Sequence, residues 1–118
     1  MILHTVAFTL KHAKGSVEEA AFLKAADLLA KIPSVKAFEK FRQISPKSDF
    51  AFGFSFEFAN QAGYDAYNIH PDHVAFVRDR WVPEVIDFQE IDYAPLGRNP
   101  IPRPRPGGGA ADAVRKRR

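Results

Sequence analysis

Two tyrosines, two histidines and a helix start fall together in the stretch YDAYNIHPDHVAF, residues 64–76. These residue types suit acid–base work on carbonyl compounds. An imidazole takes a proton near neutral pH, and a phenol donates a hydrogen bond to a developing oxyanion. His73 falls in the first turn of a helix opened by Pro71. The positive end of the helix dipole disfavours imidazolium there and favours the neutral base, while Asp72 next door pushes the other way. The same side chains also have plain structural uses. His70 before Pro71 can cap and turn the chain, His73 can bond a backbone carbonyl, and Tyr67 can belong to the core.

Other chemistries have less in their favour. His70 and His73 stand at a spacing that suits a metal, but zinc sites usually need a third protein ligand, and only His4 is available if the fold brings it near. No metal is therefore expected. The chain has no cysteine, which removes thiolate nucleophiles and Cys-type zinc sites. Gly107–Gly109 open no strand or helix, so there is no phosphate-cradling loop and no cofactor is implied. No Ser-His-Asp pattern stands out. His12, between Lys11 and Lys14 at a strand end, reads as solvated. Trp81 and the phenylalanines either line a ligand cavity or form an ordinary aromatic core.

The elements that must position these residues are legible from periodicity. Residues 2–10 alternate, with Ile2, His4, Val6, Phe8 and Leu10 on one face and Leu3, Thr5, Ala7 and Thr9 on the other. Gly15-Ser16 ends this strand. Ser16 and Glu19 fit a capping box for a helix over 17–32, which Pro33 stops. A second strand covers 35–44, where Phe38 and Phe41 fall on opposite faces and predict a bulge or a twist. A turn over 45–49 leads to a strand over 50–58 carrying Phe50, Phe52, Phe54, Phe56 and Phe58 on one face. Asn60 caps a short helix through Tyr67, and Pro71 opens another to about Trp81. The last strand covers 85–93, with alternation that slips between Phe88 and Ile91.

The order β-α-β-β-α-α-β predicts an α+β domain of ferredoxin-like form, an antiparallel sheet with helices on one face. The five-Phe face is expected beneath the helices. The opposite face, with Leu3, Thr5, Ala7, Ala51, Gly53 and Ser55, is small and largely uncharged where a solvated sheet carries more polar residues. That predicts a homodimer in which a second sheet approaches closely.

The 118 residues suit one domain of ordinary size. The net charge of +3 is unevenly spread. Residues 97–118 hold seven basic residues against Asp112 alone, and residues 1–96 hold 10 basic and 13 acidic ones. The domain is therefore expected over 1–96, followed by a basic, Pro- and Gly-rich disordered tail over 97–118. The folded part carries no composition signal for nucleic acid; a weak, salt-sensitive contact through the tail is the most the charge allows. No apolar run approaches the length of a membrane span, and the N-terminus lacks the basic flank of a signal peptide, so a cytoplasmic location is expected.

The strand ILHTVAF at 2–8, the segment Tyr67-x-x-His70-Pro71-x-His73-Val74-Ala75-Phe76 and the closing Asp92-Tyr93 resemble the stress-responsive A/B-barrel (Dabb) family over residues 1–95. The resemblance implies a dimeric ferredoxin-like α+β barrel. Most members have no established reaction. A plant polyketide cyclase branch uses a His and a Tyr for an intramolecular aldol condensation, and by motif these fall on His73 and Tyr67. His4 matches the first-strand His of the pattern. Phe52 stands where that branch has a further His, which implies a more apolar pocket. Two functions follow from this reading. One is a cofactor-free enzyme acting on a small apolar carbonyl compound, with His73 as base, Tyr67 as hydrogen-bond donor, and His4 and His70 orienting. The other is a non-catalytic stress-associated or ligand-binding homodimer in which the same residues only shape a cavity. A cofactor-free monooxygenase is an enzymatic variant of the first.

Overall fold

A computed structural model describes residues 1–97, so the expected tail lies outside the described residues. Four strands form one antiparallel sheet in the order β2-β3-β1-β4: β1 is Ile2–Leu10, β2 Ala37–Arg42, β3 Phe52–Phe58 and β4 Val85–Tyr93. The helix α1, Val17–Ala25, crosses from β1 to β2. Two further helices, α2 (Gln61–Ile69) and α3 (Pro71–Phe76), join β3 to β4. This is the ferredoxin-like arrangement expected. Among the described residues no helix is long and apolar enough to cross a membrane.

Alternation decides the faces. In β1, His4, Val6, Phe8 and Leu10 are buried, and in β3 Phe52, Phe54, Phe56 and Phe58 are buried, so both strands turn one side to the helices. Phe50 is outside β3: the strand begins at Phe52, and the Gln43 side chain binds the Phe50 carbonyl in the preceding loop at 2.7 Å. The bulge expected in β2 is absent. Ala37 to Arg42 pair with β3 in unbroken register. Phe38 simply packs inward on Phe54 and Phe56, at ring-centroid distances of 5.3 and 4.7 Å, and Phe41 faces outward. The register shift lies instead between Thr9 and Leu10 against β4, where Ile86 is the extra residue. From Asp87 onward β4 alternates without the slip expected between Phe88 and Ile91. Phe88, Glu90 and Asp92 sit opposite Phe8, Val6 and His4 on the helix side, while Ile91 and Tyr93 sit opposite Thr5 and Leu3 on the open side.

The helix caps follow the sequence. Ser16 Oγ accepts from the Glu19 N–H at 3.1 Å, and Glu19 reaches back to the Gly15 N–H at 3.0 Å. Gly15 turns the chain with φ +79°, a left-handed conformation that glycine adopts without a steric penalty. The expected single helix over 17–32 changes pitch. After Ala25 it tightens to a 3-10 helix, Ala26–Lys31. Ala26, Leu29 and Ile32 recur every third residue and are all buried, at 0%, 2% and 2% exposure. A three-residue turn stacks them on one line, which an α-helix would not. Asn60 Oδ1 accepts from the Gly63 N–H at 2.9 Å and caps α2.

The helix opened by Pro71 runs past Trp81. It widens to a π-helix over Val77–Trp81 and ends in the turn Val82–Glu84, with Pro83 inside that last turn. A proline ring clashes with the carbonyl four residues earlier in a regular α-helix, and the wide turn gives it room.

Candidate functional site

The site is built where α2 and α3 lie over the ends of β1 and β4. Tyr64 and Tyr67, one helical turn apart on α2, both face the sheet. The Tyr64 ring stacks on Phe58 at 5.0 Å, and its hydroxyl donates to Asp92 Oδ2 at 2.8 Å. His4, buried on β1, sits beside the same carboxylate, with Nδ1 2.6 Å from Asp92 Oδ1 and 3.0 Å from the Tyr64 oxygen. A carboxylate only accepts, so His4 carries a proton on Nδ1. Desolvation, and then the hydrogen bond and charge of Asp92, push the Tyr64 phenol well above its ordinary pKa.

Tyr67 is buried to 2% exposure among Phe56, Phe58 and the His73 ring, whose centroid is 4.3 Å away. Its hydroxyl has no hydrogen-bond partner among the described residues. Burial above all, helped by Tyr64 and Glu90, raises its pKa strongly, so the phenol stays a donor.

His73 stands in the first turn of α3. Its Nδ1 lies 3.1 Å from the Asn68 carbonyl oxygen. A carbonyl accepts, so Nδ1 carries the proton and Nε2 keeps its lone pair. Burial holds the imidazole below its ordinary pKa, and His4 and His70 add to that, against upward pulls from the Asn68 carbonyl and Glu90. A neutral ring with a fixed tautomer and a free Nε2 is poised to take a proton near pH 7.

These groups share a cavity of about 450 Å³. Its polar lining is His4, Tyr64, Tyr67, Asn68, His73 and Glu90, and the rest is aliphatic and aromatic, including Phe54, Phe56, Trp81 and Phe88. The wide π-helical turn brings Val77, Trp81 and Val82 to the same wall.

Of the four residues expected at the site, His4, Tyr67 and His73 line one cavity. His70 does not. Its Nδ1 accepts from the Asp72 N–H at 3.1 Å, so it caps α3. Phe52 is not in this lining either; it packs against Phe8 at 5.6 Å, and the apolar walls come from Phe54 and Phe56. His12 is not simply solvated. Its Nε2 meets Glu84 Oε1 at 2.7 Å at the far end of the sheet. Among the described residues no three His, Asp or Glu side chains gather as metal ligands. Sequence reasoning missed Tyr64, Glu90 and Asp92 as site residues. Counting β4 by twos from Phe88 puts Glu90 and Asp92 on the helix side, and the three-residue step from Tyr64 to Tyr67 puts both on one helix face.

The model of the stress responsive A/B barrel domain, Dabb, matches residues 2–95. The chain belongs to the Dabb family. A Dabb protein with a ferredoxin-like fold from Mesorhizobium loti is 66% identical, with a TM-score of 0.79, over 81% of this chain and 97% of that one. A dimeric ferredoxin-like protein of unknown function from Thermobifida fusca is 22% identical (TM-score 0.67; 79% of this chain, 89% of that one). The hydroxynitrile lyase from Passiflora edulis is 15% identical (TM-score 0.70; 84% and 96%). The last two share the Dabb chain's fold. No curated protein matches the sequence.

Proposed function

We propose that this Dabb domain is an acid–base enzyme that works without a cofactor on a small apolar carbonyl compound. The observation that carries the reading is that Tyr67 and His73, whose hydroxyl and Nε2 have no partners among the described residues, line one largely apolar cavity. His73 Nε2 takes a proton from the carbon beside the carbonyl. The carbonyl oxygen becomes an enolate oxyanion, which accepts a hydrogen bond from Tyr67. If the substrate holds a second carbonyl, the enolate carbon attacks it. A carbon–carbon bond forms, and the imidazolium returns its proton to the new alkoxide. His4, fixed by Asp92 and Tyr64, orients the substrate from the β1 side.

The test uses a slow-exchanging ketone. Benzylacetone in deuterated buffer should exchange its α-protons faster with the wild-type protein than with His73→Ala. Equal rates would defeat the catalytic reading and leave a ligand-binding cavity.

The protein is proposed to act as a homodimer. On the open sheet face Phe41, Ile91 and Tyr93 are 49%, 42% and 53% exposed around the small residues Leu3, Thr5, Ala7, Gly53 and Ser55. Gly53 has ordinary φ, and a Cβ there would come no closer than 3.7 Å to another atom, so the protomer itself does not require glycine. A second copy packed against this face would. The dimeric neighbour from Thermobifida fusca supports the reading. Ser55→Lys would place an unpaired charge in such an interface, and sedimentation should then read a monomer.

A further inference from the structure

The cavity is one-sided in charge. Glu90 lies opposite Val6 across the β1–β4 ladder, on the helix-covered face, and lines the cavity. Among the described residues it is the only carboxylate in the lining, and no lysine or arginine joins it. Arg78 and Arg80 of the segment above are engaged elsewhere, with Asp79 at 2.7 Å and Glu84 at 3.0 Å. Asp92, the next residue on the same face of β4, has both oxygens taken by His4 and Tyr64. Glu90 itself has no ion pair among the described residues. The two lining histidines direct Nδ1–H at protein acceptors, Asp92 and the Asn68 carbonyl, and the tyrosines offer phenols. An entering anion would thus lose water to walls of Phe54, Phe56, Phe76, Trp81 and Phe88, meet no lysine or arginine among the described residues, and face a carboxylate. An uncharged carbonyl compound meets only donors, acceptors and apolar surface.

We infer that Glu90 sets the charge selectivity of this cavity, admitting uncharged carbonyl compounds and excluding carboxylates and other anions. The inference rests on the ligand cavity described above and adds the class of molecule it takes. Glu90 is a specificity residue in this reading, and the proton transfers belong to His73 and Tyr67.

Two dyes of nearly the same skeleton test it. N-phenylnaphthylamine is neutral, and anilinonaphthalenesulfonate carries one negative charge. Fluorescence titration of the full chain should show the neutral dye binding more tightly to the wild type. Glu90→Gln, at an exposed edge-strand position, should fold normally. It should tighten the anionic dye by about three- to tenfold, the range for one partly screened charge, and change the neutral dye by less than about twofold. Raising the salt concentration should tighten the anionic dye on the wild type and have a smaller effect on the variant. Shifts of the His73 ring resonances on titration place each dye in the cavity. Equal affinities that Glu90→Gln leaves unchanged would overturn the charge selectivity and leave the cavity standing. No saturable binding of either dye, with no His73 shift, would overturn both.

Discussion

One sheet surface carries two kinds of interior. Under α1 it is filled with rings. Phe8, Phe22 and Phe54 meet at centroid distances of 4.6 to 6.5 Å, and Phe22 and Phe8 have no exposed surface. Under α2 and α3 the same two central strands supply His4 and Phe56, with Phe54 shared between the two halves. Two tyrosines, a histidine and a carboxylate arrive from other elements, and about 450 Å³ stays open. Protein interiors normally pack densely, and space and buried polar groups both cost stability. The filled half shows that this sequence can build a dry core. The open half is therefore where the proposed chemistry is placed.

The largest effect should come from breaking the filled half. Phe22→Ala removes a ring that touches Phe8, Phe54, Phe76 and Trp81. It should lower stability by about 3–5 kcal/mol, read by urea denaturation. A loss below about 1 kcal/mol would mean that this half is as loosely packed as the other.

His73→Ala tests the open half in the opposite sense. Exchange or turnover should fall by about 10²- to 10⁴-fold, the usual worth of a general base. Stability should change by less than about 1 kcal/mol, because the lost bond is to the Asn68 carbonyl, on an exposed residue that water can reach. A large stability loss in a variant that still turns over substrate would make His73 a structural residue.

The two tyrosines separate the roles more finely. Tyr67→Phe removes a hydroxyl that has no partner among the described residues, so stability should hold while activity falls by about 10²-fold. Tyr64→Phe removes the donor to Asp92. Thermal melts should show a loss of about 1–2 kcal/mol for this change and almost none for Tyr67→Phe. If the order reverses, Tyr67 is the core residue and Tyr64 the one facing substrate.

The filled half was also the legible half. Strict alternation in β1 and β3 named Val6, Phe8, Leu10, Phe54, Phe56 and Phe58 as core, because burial on one face imposes a period of two that survives in the sequence. The site was legible only where a local signal carried it: Pro71 opens α3 and so places His73 in a first turn. Asp92 and Glu90 needed the β1–β4 register, and a one-residue error there sends both side chains to the wrong face. The pitch changes at Ala26 and Val77 were not legible either. Helix-forming residues fill both stretches, and the tighter and wider turns are set by what lies beneath them and by Pro83. His70 misled for a related reason, since a histidine before a proline caps a helix as readily as it serves a site.

The smallest effect is a pH dependence, and its sign distinguishes the two halves' contributions. His73 is held below the ordinary histidine pKa, chiefly by burial. The activity that needs its neutral form should therefore persist below about pH 6.5 and fall only as the pH drops through the lower folded-state value. Stability follows the same linkage. As pH falls below about 6.5, the unfolded chain binds a proton at His73 before the folded chain does, so folding weakens across that window and levels off below the folded pKa. His73→Gln cannot take up that proton. Its stability should fall less over the same range, and subtracting the two curves removes what the rest of the chain contributes to both. The Phe22→Ala curve should run parallel to the wild type, since no proton is involved in the filled half. A wild-type curve that gains stability relative to His73→Gln on acidification would mean that the folded state favours the imidazolium. His73 would then be an ion-pair partner, with Glu90, whose charge pulls its pKa up, the candidate, and would not be the resting base of the site.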